Sequence, residues 1–260
     1  MFYTPADIIL ILGAVPQEIA QLVETLQGAR KCALWGIPYW EGSLGGRRVA
    51  VAITGIGKVY AAMTTTLFLS ALAPRLVVMT GTGARIEPTL RTGDVIVAQV
   101  LYEHDYGSLT RQDMVYRPFN GPDDGAEVEN RFVPAAAPLA AADRAIAAYA
   151  TPEVTAGGAA YRVMVRRGVV VSSDLFGMTE IRIANLRRLF AADISEMESA
   201  PLARVCQTFG VPYLVVRAGS NAAQEAPNDD YLRLGPIAAE QAARFTLHLL
   251  THLEEPSREA

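Results

Sequence analysis

Apolar residues fall along this chain in two alternating signatures, short β-branched runs and longer stretches with helical spacing. Ile8-Ile9-Leu10-Ile11-Leu12, closed by Gly13, predicts a buried strand, and Ile19, Leu22, Val23 and Leu26 then recur on one helical face. Residues 39–44 and 48–53 flank Gly45-Gly46, a doublet that supplies positive φ, so they predict an antiparallel hairpin. The Ala- and Leu-rich segment 58–72 predicts a helix that stops before Pro74. Residues 76–79 predict a strand running into a turn at Thr80-Gly81-Thr82-Gly83, and residues 95–98 another after Gly93-Asp94. Residues 120–129 have loop composition. Helices are predicted over 138–150, 181–190 and 198–209, and extended segments over 161–165, 169–171 and 211–216. The last strand ends in Arg217-Ala218-Gly219-Ser220-Asn221. An amphipathic helix over 237–253 then precedes a polar tail from about 254.

Strands and helices interleave without a composition break or a fixed-period repeat, which predicts one α/β domain over residues 1–260. Glycine-bearing turns after strands are where an open α/β sheet places its ligand, so the chemistry is expected there. Half the residues are hydrophobic, 51%, enough for a substantial core. The net charge of -4 offers no broad basic field for nucleic-acid phosphates or lipid headgroups, so the expected partners are small molecules. Cys32 and Cys206 lack a CxxC spacing, which fits a reducing compartment, and cytoplasm is the expectation. The opening residues carry no positive stretch, and the run from Ile8 to Leu12 is too short to span a bilayer.

Several familiar chemistries fail on their own spacing rules. Gly55-Ile56-Gly57 follows a strand and opens a helix, but Tyr60 stands where a dinucleotide fold needs its third glycine, and no Walker spacing exists. His104, His248 and His252 are the only histidines and form no HExxH, so no metal is expected. His104 reads as a satisfied structural histidine, and the pair His248 and His252 as part of a surface helix. No Gly-x-Ser-x-Gly elbow is present. No cofactor is therefore expected.

One co-linear set of motifs remains: Gly13-Ala14-Val15-Pro16-Gln17-Glu18, Thr54-Gly55-Ile56-Gly57-Lys58-Val59, Thr80-Gly81-Thr82-Gly83-Ala84, Gly93-Asp94, Ser172-Ser173-Asp174-Leu175-Phe176, Glu196-Met197-Glu198-Ser199-Ala200 and Val216-Arg217-Ala218-Gly219-Ser220-Asn221. In this order they resemble the nucleoside phosphorylase type I superfamily, and within it most of all the methylthioadenosine/S-adenosylhomocysteine nucleosidases. The resemblance implies a three-layer αβα fold around a twisted mixed sheet. It implies a homodimer in which the segment from Tyr102 to Met114, or the loop after it, completes the partner's pocket around the sugar 5′ position. It also implies that Glu198 grips the ribose hydroxyls, Met197 packs on the sugar and Glu196 is the first glutamate of the Glu-Met-Glu. Phe176 would stack on the base, and Ser220 lies at the base end beside Asn221.

Leaving of a purine from ribose passes through an oxocarbenium-like state, so a carboxylate on the sugar and a donor on the departing base both accelerate it. Phosphorylases resembling this chain place arginines where Glu18 and Met79 stand here. A carboxylate at that position repels phosphate but suits the deprotonation of water, with Thr82 and Arg217 completing the nucleophile pocket by analogy. Hydrolysis is the expected reaction, with phosphorolysis the alternative. Asn221 stands where the methylthioadenosine nucleosidases carry an aspartate that protonates the base. An amide can donate and accept but cannot act as an acid, which points to a 6-oxopurine such as that of inosine or futalosine. Glu180 and Arg182 occupy the positions where uridine phosphorylases read uracil, against the plainer reading that both face solvent. A nucleoside-binding protein without turnover is the rival from another class. Taken singly, Glu18 is also an ordinary first-turn glutamate, Lys58 a surface charge at a helix start, and Phe176 and Met197 core packing.

Overall fold

A computed structural model describes residues 6–111, 113–121, 127–224 and 227–254. The opening five residues, part of the predicted loop at 120–129, residue 112 of the segment expected to serve a partner, and nearly all of the polar tail lie outside the described residues.

In chain order the elements are β1 (Ala6–Gly13), α1 (Pro16–Glu24), β2 (Gln27–Leu34), β3 (Ile37–Leu44), β4 (Arg47–Ile53), α2 (Lys58–Leu72), β5 (Pro74–Arg85) and β6 (Val95–Glu103). Next are the short strands β7 (Gly107–Leu109), β8 (Met114–Tyr116), β9 (Phe119–Asn120) and β10 (Glu127–Val128). Then come α3 (Ala136–Ala148), β11 (Glu153–Ala156), β12 (Ala159–Arg162), β13 (Val165–Ser172), α4 (Glu180–Phe190), β14 (Ile194–Glu196), α5 (Ser199–Phe209), β15 (Tyr213–Ala222) and α6 (Asn228–Leu250).

Nine strands form one mixed sheet in the order β14-β13-β6-β15-β5-β1-β4-β3-β2. β1 runs parallel to β4 and β5, whereas β3 is antiparallel to both β2 and β4. β14 also pairs antiparallel with the end of β5, Ile194 opposite Arg85, so that β5, β15, β6, β13 and β14 close into a ring. The run Ile8 to Leu12 is apolar throughout because both faces of β1 are covered. Ile9 and Ile11 pack with Leu22 of α1, Ala142 of α3 and Phe245 of α6. Ile8, Leu10 and Leu12 pack with Phe68 of α2 and Leu202 of α5. These two covered faces are the outer layers of the αβα arrangement, and α4 seals a smaller cluster against Val169 and Val171. No described helix is long and apolar enough to cross a membrane.

Four expectations change. The segments 80–83 and 217–221 are not turns: β5 and β15 run on as paired parallel strands, with Gly81 opposite Arg217 and Thr82 opposite Ala218. Residues 161–165 split between β12 and β13. The predicted loop at 120–129 contributes a strand at each end, β9 and β10, which pair with each other. The last helix begins at Asn228 rather than 237 and continues through Gly235-Pro236, so its first turn faces the site.

Candidate active site

Strand ends and helix starts converge on one side of the ring. Pro16 opens α1, its fixed φ suited to the first helical position, and Glu18 is two residues further on. Glu18 does lie in a first turn, yet its carboxylate points inward and is only 2% exposed. Oε2 accepts from the Ala14 N–H at 2.7 Å, while Oε1 accepts from the Thr82 N–H at 2.8 Å and from Thr82 Oγ1 at 2.9 Å. The chain opposite must come close for this to happen. A Cβ at Gly81 would lie 2.5 Å from Arg217 Nη1 and 2.6 Å from Glu18 Oε1, so glycine stands there for close approach and not for a turn.

Arg217, in the middle of β15, is fully buried. Its Nη2 donates to Glu196 Oε2, to Glu198 Oε2 at 3.2 Å and to Ser199 Oγ at 3.1 Å, and Nη1 donates to the Thr82 carbonyl at 3.3 Å. Nη1 also lies 3.9 Å from Glu18 Oε1. One guanidinium therefore faces three buried carboxylates. Burial pushes Glu198 up to about 8, and the Glu196 and Glu18 carboxylates act the same way against the pull of Arg217. Glu198 Oε1 accepts from the Gly57 N–H at 2.9 Å, capping α2 from a distant part of the sequence where Gly57 itself has no side chain to do so. Both oxygens of Glu196 are engaged by Ser172, Ser199, the Glu198 N–H and Arg217, so it closes the start of α5 and holds Arg217.

A cavity of about 320 Å³ opens beside this network. Glu18, Thr82, Phe176, Glu196, Met197, Glu198, Ser220 and Asn221 all line it, while Arg217 lies behind the lining. Among the described residues, no lysine, arginine or histidine lines it. At the far end Asn221 is buried, with Oδ1 accepting from Ser220 Oγ at 2.9 Å and Nδ2 donating to the Ala222 carbonyl at 2.9 Å. That leaves the amide one N–H and one lone pair for a ligand. Phe176 is 45% exposed at the rim, its ring edge-on to Tyr231 at 5.6 Å.

Other residues behave differently from their sequence reading. Lys58 is not a surface charge: Nζ donates to Glu103 at 2.6 Å and Asp105 at 2.8 Å, and its N–H donates to Asp174 Oδ1 at 2.8 Å, which ties the Phe176 loop to α2. Arg182 does not face solvent either. It is buried, donating to Asp113 Oδ1 at 2.9 Å and the His104 carbonyl at 2.7 Å, and does not line the cavity, whereas Glu180 is exposed. His104 is fully buried and its Nε2 meets Ser195 Oγ at 3.2 Å, but Nδ1 has no partner among the described residues, so it is only half satisfied there. Burial and the nearby Arg182 push this imidazole down to about 4. Tyr231 and Asn228 line the cavity and were missed, because Gly235-Pro236 reads as a helix breaker and hides the turns before it.

A family model described as the phosphorylase superfamily matches residues 8–251. Among solved structures, a 5′-methylthioadenosine/S-adenosylhomocysteine nucleosidase from Neisseria meningitidis, in complex with methylthio-immucillin-A, is 26% identical with a TM-score of 0.80, covering 95% of this chain and 100% of its own. The same activity from Colwellia psychrerythraea, in complex with adenine, is 25% identical with a TM-score of 0.79 over 97% of this chain and 98% of that one. The futalosine hydrolase of Helicobacter pylori is 25% identical with a TM-score of 0.79, covering 95% of this chain and 98% of its own.

Proposed function

The chain belongs to the phosphorylase superfamily, and on that footing we propose that it is a nucleosidase, hydrolysing the N-glycosidic bond of a purine nucleoside with water as the nucleophile. The observation that carries this reading is a cavity lined by Glu18 and Glu198 and, among the described residues, by no cationic side chain. Phosphate would need donors of opposite charge, and the Arg217 guanidinium is behind the wall and engaged with Glu196, Glu198 and Thr82. The likeness to nucleosidases that act on methylthioadenosine, S-adenosylhomocysteine and futalosine supports it.

In this reading Glu18, fixed by three hydrogen bonds, removes a proton from water as the water attacks the anomeric carbon. Arg217 and Thr82 hold Glu18 in place. Glu198 binds the ribose hydroxyls and Met197 packs on the sugar, while Glu196 sets the arginine behind them. Phe176 stacks on the base. The uncommitted N–H and lone pair of Asn221, with Ser220 fixing its amide, favour a 6-oxopurine, which stabilises the departing base by hydrogen bonding and not by acid catalysis. We further assign a homodimer, supported by the exposed Ile56, Val59, Tyr60 and Met63 around the start of α2 beside the cavity; sedimentation at micromolar concentration tests it.

Release of free base from inosine, methylthioadenosine, adenosylhomocysteine and futalosine, with and without phosphate, is the direct test. Free ribose or its 5′-substituted equivalent should appear without phosphate, and Glu18→Gln should lower kcat by roughly 100-fold or more. A sugar 1-phosphate formed only when phosphate is present would refute the hydrolase reading. The lack of an acid at Asn221 favours one competing reading, a binding protein without turnover. Tight nucleoside binding with no base released over hours would establish that instead.

A further inference from the structure

The loop between β13 and α4 brings Phe176 to the cavity rim on three exposed residues in a row, Asp174, Leu175 and Phe176. Exposed chain gains little from burial against the entropy of ordering it, so polar contacts have to fix where that ring stands. Those contacts gather on Asp174, two residues before Phe176. Its N–H donates to Asp105 Oδ2 at 2.9 Å, and its Oδ1 accepts from the Lys58 N–H at 2.8 Å. Lys58 Nζ in turn donates to Asp105 Oδ1 at 2.8 Å, so Lys58, Asp105 and Asp174 each bond to the other two. Glu103 Oε1, 2.6 Å from Nζ, braces the ammonium from the end of β6. Glycine at position 57 lets this triangle close: a Cβ there would lie 2.9 Å from Asp174 Oδ1, and its φ of +96° is one that side chains rarely adopt.

Two carboxylates therefore occupy neighbouring amides at the start of α2. The Gly57 N–H serves Glu198 Oε1 at 2.9 Å, and the Lys58 N–H serves Asp174. Free N–H groups at a helix start favour such negative partners. One helix end thus sets the spacing between the carboxylate assigned to the ribose and the loop whose ring is assigned to the base. The Lys58 ammonium keeps Glu103 and Asp105 together. Without it the two repel, and Asp105 is the group that holds the Asp174 N–H.

We propose that Lys58 and Asp174 are positioning residues that fix the Phe176 ring over the base and so set the affinity for the nucleoside. This rests on the reading of Phe176 as the ring that stacks on the base. Neither Lys58 nor Asp174 lines the cavity, so their effect on a bound nucleoside is carried by the loop or by α2. The two routes differ kinetically. A ring on the base contributes alike to ground state and transition state and acts on KM, whereas a displaced Glu198 acts on kcat.

The experiment measures kcat and KM for base release from whichever of inosine, methylthioadenosine and futalosine is turned over, and the dissociation constants of hypoxanthine and adenine by calorimetry. It uses the full chain and its Lys58→Met, Asp174→Ala, Asp174→Asn and Phe176→Ala variants. Phe176→Ala should raise KM about ten-fold, the loss of one stacked base. Lys58→Met and Asp174→Ala should each raise KM and the dissociation constant of the free base roughly five-fold and leave kcat within about two-fold. Asp174→Asn keeps an acceptor for the Lys58 N–H and should bring KM back to within about two-fold of wild type. Asp174→Ala, at an exposed position, carries the test if Lys58→Met folds poorly. Unchanged KM and base affinity in both, even with a lower melting temperature, would make the triangle purely structural and overturn the proposal. So would a fall in kcat at constant KM, which would place the effect on Glu198 through α2. If Phe176→Ala weakens binding while the other variants behave as wild type, only this inference fails, and if Phe176→Ala also binds as wild type the stacking reading fails with it.

Discussion

At one end of the cavity Glu18, Glu196, Glu198 and Arg217 are all at most 5% exposed, and nearly every polar atom they carry has a partner within the protein. At the other end Phe176 is 45% exposed and Asn221 holds its place by two bonds to its immediate neighbours, Ser220 and Ala222. The first end draws its members from α1, β5, β14, α5 and β15, so no one of them can move without the others. The second is local. On the proposed reading the difference separates two jobs: the end assigned to sugar and nucleophile has a geometry that changes only with the fold, whereas the end assigned to the base can be altered by a single side chain.

The severest way to break this contrast is Arg217→Met. It leaves three buried carboxylates without their cation, and loss of one partner of such a network costs about 3–5 kcal/mol. Denaturant unfolding should show that loss together with the disappearance of base release. If the variant instead unfolds like wild type, the buried network does not make this end rigid.

Asn221→Asp acts at the other end and should cost less in unfolding than Arg217→Met, the loss coming from the Ala222 carbonyl left without its donor. It should shift the ratio of adenine to hypoxanthine released by about ten-fold or more towards adenine, because a carboxyl group can protonate the leaving base where the amide cannot. Competition between methylthioadenosine and inosine in one reaction reads that ratio. An unchanged ratio would remove Asn221 from base selection.

The smallest effect is on pH-dependent stability, and it sharpens the first end alone. Glu198 has a folded-state pKa raised to about 8 from an ordinary 4.5, so the folded protein favours its neutral form. Its favourable contribution is present below the ordinary value and is lost as pH rises through the raised one. Between pH 5 and 8 the melting temperature of the ligand-free wild type should therefore fall relative to that of Glu198→Gln. Parallel curves for the two proteins would mean that Glu198 is ionised throughout.

Much of the central sheet was legible in the sequence because β1, β4 and β13 are buried, and burial leaves apolar runs. β2 left no such mark. It is an edge strand, mostly exposed, and its pairing with β3 holds Gln27 to Leu34 in place without any apolar alternation. β14 has only three residues, too few to show a period, yet it delivers Glu196. The glycines of β5 misled in a different way: the residue type that marks a turn also marks a place where Arg217 and Glu18 press against the backbone. The members of the buried network could be named from their motifs, but their mutual distances could not, since Glu18 and Arg217 are nearly two hundred positions apart. Tyr231 was hidden by the Gly-Pro pair that comes after it.

Thr82 and Arg217 lie within paired strands and not on loops, and on the proposed reading this bears on how activity is lost. Loops that carry function usually open at little free-energy cost, so an enzyme can be silenced locally while its core persists. Here the amides around Thr82 and Arg217 belong to the ladder between β5 and β15, at the centre of the ring. Opening them means opening the sheet. If Thr82 and Arg217 serve the nucleophile as proposed, inactivation at that end is expected to coincide with global unfolding, and a milder loss of function to originate at the rim.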